Sequence, residues 1–169
     1  MAWTGSAHRL AGSLGLGAGR VAVELAALVR QGGEPRAVVA LGGDELARAL
    51  ARLGLGVVSI GPAPRRRKPG TRHLVASESA LPLGDDSVDA ALSAGLPREP
   101  GPALAELSRV VRPGGAIAIA TAASALVRRV APPETLAATL VHAGLVDVEQ
   151  RAVGSTLITS ARVRRRPAR

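Results

Sequence analysis

Apolar positions along this chain follow two rhythms in turn. From Arg20 to Arg30, Val21, Leu25 and Leu28 are spaced to share one face of a helix. Gly32-Gly33 and Pro35 stop it. Ala37–Leu41 is a short unbroken apolar run, which predicts a buried strand. Gly42-Gly43 form a turn, and Asp44 stands where it can cap a helix running through Leu53, with Leu46, Leu50 and Leu53 on one face. Val57–Ile60, His73–Ala76, Val88–Ser93 and Ala116–Thr121 predict four more strands. Pro102–Val111 predicts a helix with Leu104, Leu107 and Val111 inward, closed by a sharp turn at Arg112-Pro113-Gly114-Gly115. A helix over Pro132–Ala143 ends at Gly144, and Leu145–Arg151 and Thr156–Val163 complete seven strands. Strands alternating with helices imply an α/β domain with a mainly parallel sheet.

The remainder divides the chain. Residues 1–19 read as a flexible arm, 20–163 as the domain and 164–169 as a basic tail. Gly15, Gly17 and Gly19 make a G-x-G-x-G string before a helix, but no strand is predicted ahead of it, so it reads as linker. Pro62, Pro64, Pro69 and Gly70 interrupt regular structure around Arg65-Arg66-Arg67-Lys68, which predicts an exposed basic loop and a shortened helix region after the second strand.

Composition changes the picture in three ways. Trp3 is the one aromatic residue, so the core must be aliphatic, which suits a parallel sheet covered on both faces. Cysteine is absent, which excludes disulfides, cysteine-ligated zinc and thiolate nucleophiles. The net charge of +9 favours acidic partners, nucleic acid among them. Arg65–Lys68 and Arg162–Arg169 could meet phosphates, but single-stranded nucleic acid is usually stacked on aromatic rings that this chain lacks. No segment reads as a signal peptide or membrane span, and the expectation is a cytoplasmic protein.

Leu81-Pro82-Leu83-Gly84-Asp85-Asp86-Ser87-Val88-Asp89 resembles the "LPF-x-D-x-SFD" entry to the fourth strand of class I methyltransferases. Glu106-Leu107-Ser108-Arg109-Val110-Val111-Arg112-Pro113-Gly114-Gly115 is similar to that family's "E-x-x-RVLRPGG" helix end and turn, at the right separation. Pro133–Val148 is similar to its later helix and strand. The resemblance runs from about Arg36 to Val163. It implies a Rossmann-like class I methyltransferase fold, with seven strands flanked by helices in one domain, and S-adenosylmethionine as cofactor.

The stretches that should hold that cofactor depart from the family pattern. The first strand of such enzymes ends in a "D-x-G-x-G-x-G" loop. Aligned on the helix here, Gly42 alone keeps a motif glycine; aligned on the strand, the loop is two residues short and Ala40 replaces the acid. Val57-Val58-Ser59-Ile60-Gly61-Pro62 puts Gly61 where a carboxylate normally accepts both ribose hydroxyls. Ser77, with Glu78 beside it, stands where an aspartate often meets the adenine amine.

The resemblance therefore implies that Gly42, Gly43, Gly61, Ser77 and Glu78 line the cofactor cleft, with no metal site and no assignable catalytic residue. His73 is a candidate base beside the basic loop, whereas His142 reads as structural or solvated. The expectation is a methyltransferase-like protein of weak or lost activity toward an unknown small acceptor. The alternatives are a non-catalytic regulatory protein bound to a protein partner, as a homo- or hetero-oligomer, and a nucleic-acid-binding module using the arginine clusters.

Overall fold

The computed structural model describes residues 18–42, 44–61, 72–97, 99–122 and 133–164. Most of the N-terminal arm, Gly43, the Arg65–Lys68 run and the tail beyond Arg164 lie outside these residues. Four helices, α1 (Ala18–Arg30), α2 (Asp44–Arg52), α3 (Pro100–Val110) and α4 (Pro133–His142), are described. The strands are β1 (Val38–Leu41), β2 (Val57–Gly61), β3 (Arg72–Val75), β4 (Val88–Ala94), β5 (Val111–Ala122), β6 (Val146–Val153) and β7 (Thr156–Arg162). They form one seven-stranded sheet in the order β3-β2-β1-β4-β5-β7-β6. β7 alone runs opposite to the other six strands. The seven expected strands and the mainly parallel sheet are therefore present. No described helix is long and apolar enough to cross a membrane.

Alternation along each strand distributes the core over both faces. One face carries Val38, Ala40, Val57, Leu92 and the alanines 90, 94, 116, 118 and 120, under Val21, Leu25 and Val29 of α1 and Leu46 and Leu50 of α2. The other carries Val39, Leu41, Ile60, Ile117 and Ile119, under Leu104 and Leu107 of α3 and Leu136 and Leu140 of α4. Along β5 the residues alternate alanine toward α1 and isoleucine toward α3 and α4. A floor of small side chains lets α1 lie close, and the large ones fill the other layer, so close packing is reached without an aromatic ring.

Most boundaries differ from the sequence reading by one or two residues, Val111 opens β5 instead of closing the helix before it, and two further differences bear on the architecture. Ala18 and Gly19 belong to the first turn of α1, so the arm ends earlier than residue 19. The Arg112–Gly115 turn is a bulge within β5 rather than a break before it: Val111 pairs with Val88, and Ala116 pairs with Ala90. Gly115 is obligatory there, because a Cβ would lie 2.5 Å from the Asp89 carbonyl oxygen and 2.5 Å from Val111 Cγ1.

The amino edge of the sheet is tied by charge. Asp89 Oδ2 accepts the backbone N–H groups of Arg36 (2.6 Å) and Ala37 (2.8 Å), and its Oδ1 pairs with Arg112 Nε at 3.0 Å. One carboxylate thus joins the entries of β1, β4 and β5. Nearby, Arg109 donates to Glu106, to Asp85 Oδ1 at 2.7 Å and to the carbonyls of Leu81 and Leu83. Glu106 Oε2 also accepts the Leu81 N–H at 2.8 Å. The Arg109 hydrogen bonds, followed by the Leu81 N–H, hold the Glu106 carboxyl down to about 2. Arg109 is pushed above its ordinary range, first by Glu106 and then by Asp85.

Candidate functional site

The chain winds outward from β1 to β2 and β3 in one direction and to β4 and β5 in the other. A crevice at the carboxyl ends of β1 and β4 is the place where such a sheet binds ligands. Gly42 follows Leu41 at the end of β1, and Leu41 is in register with Ile60 of β2 and Ser93 of β4. Gly61 is the last residue of β2 and pairs with Val75, the last residue of β3. Ser77 and Glu78 follow directly. The sheet therefore brings Gly42, Gly61, Ser77 and Glu78 to one edge, while Gly43 lies outside the described residues.

Gly42 has φ +85°, a conformation that side-chain-bearing residues rarely adopt. A Cβ on it would lie 2.8 Å from the Ala94 carbonyl oxygen. This glycine is thus required for β1 and β4 to approach at their ends, whatever it does for a ligand. Gly61 differs: among the described residues, the one atom near its missing Cβ is His73 Cε1, at 4.0 Å. His73 is held there, Nδ1 lying 3.2 Å from the buried Ser59 hydroxyl in the neighbouring register position.

Ser77 is committed to its own turn. Its Oγ accepts the Ser79 N–H at 3.3 Å and lies 2.9 Å from Ser79 Oγ, and Ser77 bridges to Ala80. Glu78 is half-buried in the same turn. At the end of β4 the buried Ser93 hydroxyl donates to the Gly95 carbonyl at 2.8 Å, which fixes the loop facing Gly42. The sequence reading missed this Ser93–Gly95 pair and the Gly42–Ala94 approach; the signal for both was a strand ending directly in glycine. His142, exposed at the carboxyl end of α4, has Nδ1 2.9 Å from the Ala138 carbonyl of its own helix. Among the described residues, no three His, Asp or Glu side chains could hold a metal ion. Of the basic segments, Arg162 is half-buried at the end of β7 and donates to the Gly114 and Leu28 carbonyls and to Gln31 Oε1, so it serves the fold rather than a phosphate; Arg164 is exposed, and Arg65–Lys68 and residues 165–169 lie outside the description.

Residues 13–119 match the model of the methyltransferase domain family. The match reaches upstream of the expected Arg36 and takes in Gly15, Gly17 and Gly19, although the sheet assigns the strand-turn-helix unit to β1, Gly42 and α2. An uncharacterized methyltransferase of Mycobacterium tuberculosis is 36% identical over 86 residues, covering 46% of this chain and 35% of that protein. The chain thus spans about a third of the length of the curated relatives it matches first. A chain from the complex between the Haloferax volcanii Trm112 methyltransferase activator and a candidate methyltransferase superposes with a TM-score of 0.70 at 20% identity, covering 93% of this chain and 94% of its own. The Burkholderia thailandensis 1,6-didemethyltoxoflavin-N1-methyltransferase, solved with 1,6-didemethyltoxoflavin and S-adenosylhomocysteine bound, has a TM-score of 0.62 at 19% identity, covering 96% and 92%. Because the family model takes in well over half of its length, this chain belongs to the methyltransferase domain family.

Proposed function

We propose that the protein is an S-adenosylmethionine-dependent methyltransferase-like protein that holds its cofactor weakly, with catalytic activity weak or lost, at the edge lined by Gly42, Gly43, Gly61, Ser77 and Glu78. Gly61 carries this reading. Its backbone occupies the end of β2, and among the described residues only His73 Cε1 comes within 4 Å of where its Cβ would stand, so the backbone position is kept while the bidentate ribose acceptor is missing. Gly42 and the start of α2 offer backbone contacts, and the Ser77 hydroxyl, already engaged with Ser79, replaces a carboxylate near the adenine. The cofactor, when bound, supplies an electrophilic methyl group. The chain's own part is to place an acceptor in line with it, and the Ser93–Gly95 loop is the element positioned to do so.

Calorimetric titration with S-adenosylmethionine and S-adenosylhomocysteine tests this. The expected dissociation constant is weaker than about 100 μM, roughly −5.5 kcal/mol. Gly61→Asp is expected to tighten it by about tenfold or more, because a charged acceptor is restored. Low-micromolar binding by the natural chain with no gain in Gly61→Asp would overturn the reading, as would absence of heat in both proteins.

A second reading, a regulatory protein acting through a protein partner, is supported by the Haloferax neighbour, whose structure is a complex with an activator. Loss of cofactor binding in both proteins above would favour it.

A further inference from the structure

A ridge of arginines crosses the amino edge of the sheet, and each of its links is a contact. Arg30, the last residue of α1, donates to the Leu53 carbonyl at 2.7 Å, beside Arg52 at the end of α2, and pairs with Glu34 at 3.6 Å. Arg36 comes next at the entry of β1, its carbonyl against Gly56 and its N–H on Asp89 Oδ2. The other oxygen of Asp89 holds Arg112. Gly114 accepts from Arg162 and donates to the Val163 carbonyl, and Arg164 follows. Arg36, Arg52, Arg112 and Arg164 are exposed, whereas Arg30 and Arg162 tie the ridge to the backbone.

Two carboxylates stand among these six arginines. Asp89 is nearly buried and engaged on both oxygens, and Glu34 is paired with Arg30. Asp85 and Glu106 gather around Arg109 on the α3 side with Asp86 beside them, and Asp147 lies in β6, beyond β7. No residue outside the described set is acidic, so nothing there can neutralise the ridge, and residues 165–169 add three more arginines after Arg164. Arg30 and Arg52 complement the carbonyl ends of their helices. Arg36, Arg112 and Arg164 stand at strand ends, where no helix end accounts for them. Among the described residues the exposed large apolar side chains are Val23, Val75 and Val141, none of them in the ridge.

Guanidinium groups in a row suit phosphates repeated in a row, because each can donate two parallel hydrogen bonds to phosphate oxygens. From β2 to β7 the ridge crosses four strand spacings, about 19 Å, or about six base pairs of duplex. RNA and single strands are mostly held by stacking unpaired bases on aromatic rings, and this ridge has none. We infer that the arginine ridge at the amino edge is a docking surface for the phosphate backbone of double-stranded DNA, read without regard to sequence. It lies opposite the edge proposed for the cofactor and does not rest on that reading.

The test is fluorescence anisotropy of the full chain with a labelled DNA duplex of about 20 base pairs. Affinity is expected to fall on the order of 100-fold from ~50 to ~200 mM salt, as for about three to four neutralised phosphates. Arg36→Gln, Arg52→Gln and Arg164→Gln combined, checked for native folding by thermal melt, should cost about tenfold or more at the lower salt and flatten the salt dependence. Replacing all four of Arg65–Lys68 with glutamine should cost less, although it removes more charge. A loss from the loop variant equal to or larger than that from the ridge variant would overturn the inference. So would absence of duplex binding at ~50 mM salt, or tighter binding to an RNA duplex of the same sequence or to phosphatidylserine vesicles. Cofactor affinity unchanged in the ridge variant is expected, since the two edges are separate; its loss in a natively folded ridge variant would place the ridge in the cofactor site and remove it as a separate surface.

Discussion

At the amino edge of the sheet, Asp89 gathers two backbone N–H groups and Arg112, and Arg109 gathers two carboxylates and two carbonyls. At the carboxyl edge, Gly61 offers no side chain and Ser77 bonds within its own turn. The motifs by which the chain resembles its family, Leu81–Asp89 and Glu106–Gly115, converge on the first of these edges. What makes the family recognisable in this chain is therefore the joinery that holds β1, β4 and β5 in register. Ligand contacts lie at the opposite end, and their motifs can drift without loosening that joinery.

Substitutions should separate the two edges. The largest effect is expected from Gly115→Ala, whose Cβ would strike the Asp89 carbonyl and Val111; it should cost about 3 kcal/mol or more in urea unfolding. Asp89→Ala strands the Arg36 and Ala37 N–H groups and should cost about 2–3 kcal/mol by the same measurement. Gly42→Ala is the substitution that could break the comparison, since it tests the carboxyl edge for structural duty. Positive φ and the Ala94 contact predict a loss of about 1–3 kcal/mol, and a stable Gly42→Ala protein would show that the edge is slack even there.

A pH series sharpens the contrast. The Glu106 carboxyl is depressed from 4.5 to about 2, so its contribution is fully present above pH 4.5 and is lost as pH falls toward 2. Glu106→Gln should lower the urea midpoint at neutral pH and flatten its fall across that window. The smallest expected effect on stability is Gly61→Asp, within about 0.5 kcal/mol, because among the described residues nothing closer than His73 Cε1 stands in the way. A large loss there would mean that the gap is structural after all.

Much of this was legible in the residues. Unbroken runs such as Val38–Leu41 and helical spacings such as Leu104 with Leu107 report burial, and burial fixes the layers. The β5 bulge was hidden because Pro-Gly-Gly serves equally for a turn and for a bulge; pairing with β4 decides between them. The site was legible by position and not by role. Gly42 and Gly61 look alike as letters, yet one is wedged against Ala94 and the other has, among the described residues, only His73 Cε1 at 4.0 Å from its Cβ position. His73 gained its place beside Gly61 from the β2–β3 register, which no local pattern encodes.

The aliphatic core also has a spectroscopic consequence. With alanine and isoleucine alternating along β5, no phenylalanine or tyrosine, and Trp3 the one indole in the chain, the described residues contribute almost nothing to near-ultraviolet dichroism or intrinsic fluorescence. With Trp3 replaced by leucine, an indole introduced in place of exposed Val75, across from Gly61, would report against a nearly dark background. Whatever enters the carboxyl edge would then announce itself as a change in the emission of one residue.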